Sequence, residues 1–324
     1  MKSYCIRRLL YVIPLLFGIN LITFVLFFMV NTPDNIAAIH LGEKYITAAE
    51  INDWKKAHGY DKPLLYNPTE PGIAKLTHTL FVEQSIRLFQ FEFGQSDAGD
   101  DIRYDILRRI GPSLAIAVPA LCLGVLVNIT FALLLVFFRH TYVDRLGSIW
   151  CVMLMSISLL FYIIGGQYLL SKLLKLVPIS GYESGWSLLR FLILPIIVGV
   201  IGGIGSGVRW YRTIFLEEVH KDYVRTARAK GVSEIATLFK HVLPNGFIPI
   251  VTGVVVLLPL LFLGSLLTES FFGIPGLGSY TVDAIQQQDF AIVRAMVFLG
   301  SVLYIIGLLL TDIVYTWVDP RIRL

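Results

Sequence analysis

The stretch LLRFLILPIIVGVIGGIGSGV, residues 188–208, runs directly into RWYRTIFLEEVHKDYVRTARAKGVSEIATLFKHVLPNG, residues 209–246. The first part carries one charge, Arg190, and is long enough to cross a bilayer, whose hydrocarbon core takes about 20 helical residues. The second part is crowded with charge and must lie in water. This switch sets the solvent of the chain. The whole sequence agrees: 56% of its 324 residues are hydrophobic, 15% are charged and the mean hydropathy is +0.71. Soluble domains carry about 25% charged residues. A net charge of +4 is too small to argue for nucleic-acid binding by bulk basicity. Cys5, Cys122 and Cys151 lie in or beside apolar runs with no paired spacing for a metal or disulfide framework.

Working outward, five more apolar runs have spanning length, so spans are expected at 9–30, 112–138, 149–170, 188–208, 247–267 and 292–315. The first follows Arg7 and Arg8 like a secretory signal, yet it exceeds the 7–15 residues of a signal core and no small-residue cleavage site follows. It reads as an uncleaved anchor. The reading is an all-α polytopic membrane protein with six transmembrane helices. Its segments are 1–30 (cytoplasmic N-terminus and first span), 31–111 (outer loop) and 112–324 (five-span core holding a cytoplasmic loop at 209–246). With the N-terminus inside, inner segments hold about 14 Lys and Arg, among them Arg139, Arg145, Arg209 and Arg212. Short outer loops hold 4, Lys172, Lys175, Arg190 and Arg294. The positive-inside rule therefore places both termini in the cytoplasm.

The outer loop is expected to be partly helical. Thr47 and Glu50 have capping-box spacing ahead of Ile51, Trp54 and Ala57, with His58-Gly59 as a stop. Residues 79–93 interleave Leu80, Val82, Ile86, Leu88, Phe89 and Phe93 with polar residues, as an interfacial helix or a small packed subdomain would.

The loop at 209–246 is the most informative. Asp222 is suited to cap a helix over 223–230, Gly231 to a left-handed C-terminal stop, and Ser233 to cap a second helix running to His241, with Pro244 limiting its continuation. Two short helices about a glycine also suit DNA, but this unit is tethered at both ends to spans and Glu217, Glu218, Asp222 and Glu234 offset its charge. A plain structural connector is the bland alternative.

Asp222-Tyr-Val-Arg-Thr-Ala-Arg-Ala-Lys-Gly231, then His241-Val-Leu-Pro-Asn245, resembles the Glu-Ala-Ala loop of ABC importer permeases. Arg225-Thr226-Ala227 stands for Glu-Ala-Ala, Gly231 is in register, His241 replaces an isoleucine, and Leu243-Pro244 is retained. Both departures resemble the oligopeptide, dipeptide and nickel permease branch. The resemblance extends along the chain, through Ile6-Arg-Arg-Leu-Leu with Ile13-Pro14, Tyr60-Asp-Lys-Pro-Leu64, Val177-Pro-Ile-Ser-Gly-Tyr182, Gly273-Ile-Pro-Gly-Leu-Gly278 and Asp319-Pro-Arg-Ile-Arg323. Asn31-Thr-Pro-Asp34 departs from the Pro-Gly-Asp-Pro-like run of relatives.

The resemblance implies an ABC importer type I permease-like fold in the bacterial inner membrane. It implies a pathway shared with a second permease, two ATPase subunits engaged through Asp222, Tyr223, Arg225, Thr226, Ala227, Gly231, His241, Leu243 and Pro244, and an extracytoplasmic substrate-binding protein. Peptides are the expected cargo; nickel or another small solute is the alternative. The chain should be a transport subunit, not an enzyme, with no cofactor and no nucleic-acid partner. Consistently, the glycines at 202–207 lack the Lys-Ser/Thr of a phosphate-binding loop. Pro14, Pro119, Pro195 and Pro259 are candidate kinks. Among polar residues in the spans, Asn128, Gln167 and Glu269 are candidates for the pathway, with Asn20 and Asp312 as further intramembrane polar groups. A secondary transporter would instead show internal repeats and mid-depth carboxylates, and an intramembrane enzyme a nucleophile paired with a base; neither is evident.

Overall fold

The computed structural model describes residues 2–30, 32–42, 46–57, 59–68, 70–183 and 185–318, with side chains described for all of these except 2–9, 30, 40 and 315–318. The C-terminal motif at 319–323, the stop at His58, and the side chains of Arg7 and Arg8 lie outside the described residues. Among the described residues the chain is helical, with one isolated β-bridge, Gln95 to Asp101. The helices are α1 (Lys2–Val30), α2 (Pro33–Leu41), α3 (Ala48–Ala57), α4 (Ala74–Thr77), α5 (Leu80–Phe89), α6 (Ile102–Phe137), α7 (Tyr142–Ser156) and α8 (Leu159–Gly166). They continue as α9 (Leu188–Val219), α10 (Asp222–Ala229), α11 (Glu234–Thr237), α12 (Leu243–Leu257), α13 (Leu266–Phe272), α14 (Leu277–Gln287) and α15 (Phe290–Val318).

Among the described residues five segments are long and apolar enough to cross a membrane: Leu10–Met29, Ile102–Phe137, Gly185–Val219, Glu234–Leu263 and Phe290–Val314. The sixth, expected as one helix over 149–170, is instead α7 and α8, bent by 88°. Proline does not cause this bend. Ile157 and Ser158 are extended, and the Leu154 carbonyl accepts both the Ile157 N–H at 3.3 Å and the Tyr162 hydroxyl at 2.7 Å, tying the two helices across the break. Pro14, Pro119 and Pro195 lie inside α1, α6 and α9, while Pro259 opens a 3₁₀ turn, Pro259–Leu263. Two spans outrun the membrane: at 1.5 Å per residue, α6 is about 54 Å long and α9 about 48 Å. The start expected at Pro112 is thus ten residues late, because the charged turn around Arg103 and Arg108 is helical as well.

Contacts divide the chain into two compact units, Met1–Arg108 with Asp283–Ile305, and Arg109–Val282 with Ile306–Leu324. In the first, Phe24, Phe28, Ile36, Leu80 and Phe81 are buried together, with Trp54 and Tyr60 against them. Residues 79–93 are therefore packed on α1 as part of a subdomain, with Leu80, Phe81 and Leu88 inward. Asn20 of α1 donates to Ser85 at 2.6 Å, a paired structural contact. The capping box also forms: Thr47 N–H donates to Glu50 at 2.8 Å, and Glu50 N–H to Thr47 Oγ1 at 3.4 Å. The bond from the Thr47 backbone, then that from its hydroxyl, holds the Glu50 carboxyl below its ordinary range.

The second unit is centred on α9, which packs most extensively on α7. Its glycines make this possible. A Cβ on Gly205 would fall 2.5 Å from the Cys151 carbonyl oxygen, and one on Gly207 would fall 2.2 Å from Asn128 Nδ2 on α6. Small residues at helix crossings are the expected device where lipid supplies no hydrophobic driving force between helices. The segment 202–207 is therefore a helical packing surface.

Candidate coupling loop and transport pathway

The loop forms where the sequence placed it, on a firmer base than its charges suggest. Val224 and Ala227 on α10 are buried, and Val224 joins Phe215, Val219, Leu238 and Val242 in one apolar cluster. Burying a side chain of this kind contributes about 1.5–3 kcal/mol. The opposite face of α10 presents Tyr223, Arg225, Thr226 and Lys230 to solvent. Ile235 and Phe239 are 58% and 57% exposed and add apolar surface to the loop.

Helix α10 ends as a Schellman motif. The Gly231 N–H donates to the Arg228 carbonyl at 2.9 Å, the Val232 N–H to Ala227 at 3.2 Å, and Gly231 has φ +78. The α10 N-terminus differs from expectation. Lys221 occupies the cap without a side-chain capping bond, and Asp222 is the first helical residue, where its charge still complements the helix dipole. Ser233 caps α11 as expected, accepting from the Ala236 N–H at 3.4 Å.

Pro244 does not end the second helix. A π turn, Leu238–Val242, carries α11 into α12, so loop and span form one helical rod. Proline lacks an N–H and crowds the carbonyl four residues back; the wider π turn lets the chain pass it, and Asn245 donates to the His241 carbonyl at 2.7 Å. His241 and Leu243 are half-buried in this joint, and Pro244 is exposed.

Charged clamps fix the loop, and the sequence reading missed their pairing. Glu234 accepts from Arg139, beyond the end of α6, at 2.6 Å and from Arg228 at 2.9 and 3.0 Å. Glu218 binds Lys221 at 2.5 Å and accepts from the Tyr223 hydroxyl. Partial burial, then the bond to Glu218, holds the Tyr223 phenol above its ordinary range, so it stays a donor at neutral pH. Arg212 on α9 grips Asp144 on α7 bidentately at 2.8 and 2.7 Å. These partners lie 68 residues apart, and nothing local in sequence pairs them. A cycle of Asp144→Ala, Arg212→Ala and the double variant is expected to show coupling of about 1–3 kcal/mol in thermal unfolding of the solubilised chain. Strict additivity of the two single losses would refute the clamp.

The three pathway candidates occupy different settings. Cavities of about 460 and about 620 Å³ share Ala117, Ala120, Leu121, Gly199, Leu257 and Leu261, forming a mostly apolar groove along α6, α9 and α12. Asn128 lines the larger cavity, and its Oδ1 is buried with no hydrogen-bond partner. Glu269 lines the smaller but is only 1% exposed. Its Oε1 accepts from the Ser265 N–H at 3.1 Å and its Oε2 from the Gly278 and Ser279 N–H groups at 2.7 and 3.1 Å. The Ser113 hydroxyl also bonds this carboxylate and accepts from the Leu277 N–H at 2.8 Å. Gln167 lines neither cavity; it donates to the Ile179 and Phe271 carbonyls at 3.1 and 3.0 Å. No group of three or more His, Cys, Asp or Glu side chains suited to a metal occurs among the described residues.

Residues 120–324, well over half of the chain, match the family described as "Binding-protein-dependent transport system inner membrane component". The chain belongs to this family. Its similarity to individual members runs end to end. It is 29% identical to a putative peptide permease protein of Brucella suis biovar 1 (strain 1330), over 100% of this chain and 99% of the relative. It is 27% identical to an oligopeptide transport system permease protein of Bacillus subtilis (strain 168), over 100% of both. A glutathione transport system permease protein of Escherichia coli (strain K12) is 28% identical over 100% of this chain and 99% of the relative. The family is a transport component and these relatives are permease subunits, not enzymes. The chain is accordingly a multi-pass inner-membrane permease of the ABC importer class.

Proposed function

We infer that this permease takes up peptides, sharing a translocation path with a second permease and drawing its energy from two ATPase subunits that grip the loop at 209–246. The observation that carries this reading is the α10–Gly231–α11 knob. It is rooted in the apolar core through Val224, presents Tyr223, Arg225 and Thr226 outward, and is fused to α12 through the π turn. A knob so anchored transmits a push to a span, which a slack connector cannot do. An extracytoplasmic binding protein would deliver the cargo. The excess of Lys and Arg in the loop segments supports cytoplasmic termini, with 31–111 and its helices on the outer side. The groove beside Asn128 is one wall of the path, mostly apolar and without a charge ring, as suits cargo of variable side chains.

The test is reconstitution. Proteoliposomes holding the complete transporter are expected to accumulate radiolabelled short peptides only with ATP and binding protein, while this chain alone hydrolyses no ATP and moves no peptide. Peptide accumulation by the chain alone under a proton or sodium gradient would overturn the reading.

A further inference from the structure

Arg294, in the first turns of α15, has no counterion among the described residues. Its hydrogen-bond partner is the Gln84 side-chain oxygen, and its Nε is sealed from solvent with no partner. Among the described residues no carboxylate lies within the 4.0 Å of an ion pair with it. The nearby carboxylate of Asp289 is already used: it accepts from the Asp97 N–H at 2.8 Å and caps α15 through the Ile292 N–H at 3.2 Å. A partly buried guanidinium left this way is costly unless something anionic reaches it.

A cavity of about 640 Å³ opens onto Arg294, within the usual range for a small-molecule site. Trp54 and Tyr60, stacked with centroids 5.7 Å apart, form a flat wall. Arg87 adds a second guanidinium, itself paired with Glu83 at 3.0 Å, while Glu92 and Asp97 stand on the lining. Those two acidic side chains disfavour a dianion such as phosphate and favour a group bearing one negative charge, or a zwitterion whose ammonium faces them. A planar carboxylate fits the fork of a guanidinium.

We propose that this cavity in the unit formed by Met1–Arg108 and Asp283–Ile305 binds the free C-terminal carboxylate of a short peptide on Arg294, with Gln84 orienting the guanidinium and the Trp54–Tyr60 wall receiving apolar surface. The choice of peptide rests on the function proposed above; the demand for a carboxylate rests on the geometry.

The test uses the full chain in phosphatidylcholine nanodiscs, with dialanine, dialanine amide, inorganic phosphate and phosphatidylglycerol as probes. Dialanine is expected to bind and raise the unfolding temperature, and its amide to bind about tenfold or more weakly, since the charge-assisted bonds are lost. Gln84→Glu would supply an internal carboxylate of the same shape, so this variant should unfold at a higher temperature than the parent and lose the response to dialanine. Arg294→Gln should lose the response as well, and Gln84→Glu carries the test alone if that variant does not fold. Equal binding of the amide, an unchanged response in Gln84→Glu, or stabilisation only by phosphate or phosphatidylglycerol would overturn the proposal. Peptide uptake by the complete transporter without dialanine binding here would sink this site and leave the transport reading intact. Dialanine binding without uptake would do the reverse.

Discussion

Gly231→Val is expected to abolish substrate uptake while the chain stays inserted in the membrane at near-normal abundance. The lesion is conformational, not steric, because a Cβ at this position would meet nothing within 4 Å. What forbids valine is the backbone: at φ +78 an L-residue is strained by about 1–2 kcal/mol, more when β-branched. Relief of that strain breaks the two bonds that end α10, from Gly231 to Arg228 and from Val232 to Ala227, and redirects α11. Since α11 is the start of the rod that becomes α12, the exit angle of the knob and the entry of the span change together. Gly231→Asn provides the control, since asparagine tolerates the left-handed region and should keep most uptake. The measurement is uptake and ATPase co-purification at matched membrane abundance. Normal transport by the valine variant would reduce the loop to a connector.

Glu269→Ala is expected to cost the fold itself. The carboxylate is the shared acceptor of three backbone N–H groups and bonds a serine hydroxyl, all within the second unit. Each buried donor left unpaired costs about 1–3 kcal/mol, and total stabilities are commonly about 5–15 kcal/mol. Glycines shape the cage: a Cβ on Gly264 would lie 2.0 Å from Oε1, and one on Gly276 would lie 2.2 Å from Oε2. No larger residue can refill the site without moving the turn. Glu269→Gln keeps one acceptor and turns an amide toward N–H groups, so it should fall between the parent and alanine. Thermal unfolding in detergent, with membrane abundance, ranks the three; an alanine variant as stable as the parent would show that water satisfies the cage.

The sequence was most legible where one property decides structure locally. Span number follows from the length of apolar runs, the capping box from Thr47 and Glu50, and the stop at Gly231 from the cost of a left-handed β-carbon. It was least legible where distant residues decide. The apolar run through 149–170 shows continuous hydrophobicity, yet the helix breaks at Ile157 and Ser158, because apolar periodicity carries no signal for two extended residues between helices. Pro244 looked like a terminator because the π turn that accommodates it leaves no mark in the sequence. Glu269 stood out as a polar residue of the spans and a pathway candidate, but its donors come from residues 113, 265, 278 and 279, which only the folded chain brings together.

The glycines of α9 also bear on how this permease can move. Gly205 and Gly207 lie two residues apart, hence on opposite sides of the helix, and one meets the backbone of α7 while the other meets Asn128 of α6. The helix is thus closely packed on both flanks. Gly205 lets the α9 backbone lie close against α7 with no side chain between, and the Arg212–Asp144 fork joins the same pair further along. The two helices are therefore expected to move together. If they do, motion imposed where α9 enters the loop reaches α7 directly, and the 88° elbow after Ser156 is a joint at which the chain can bend.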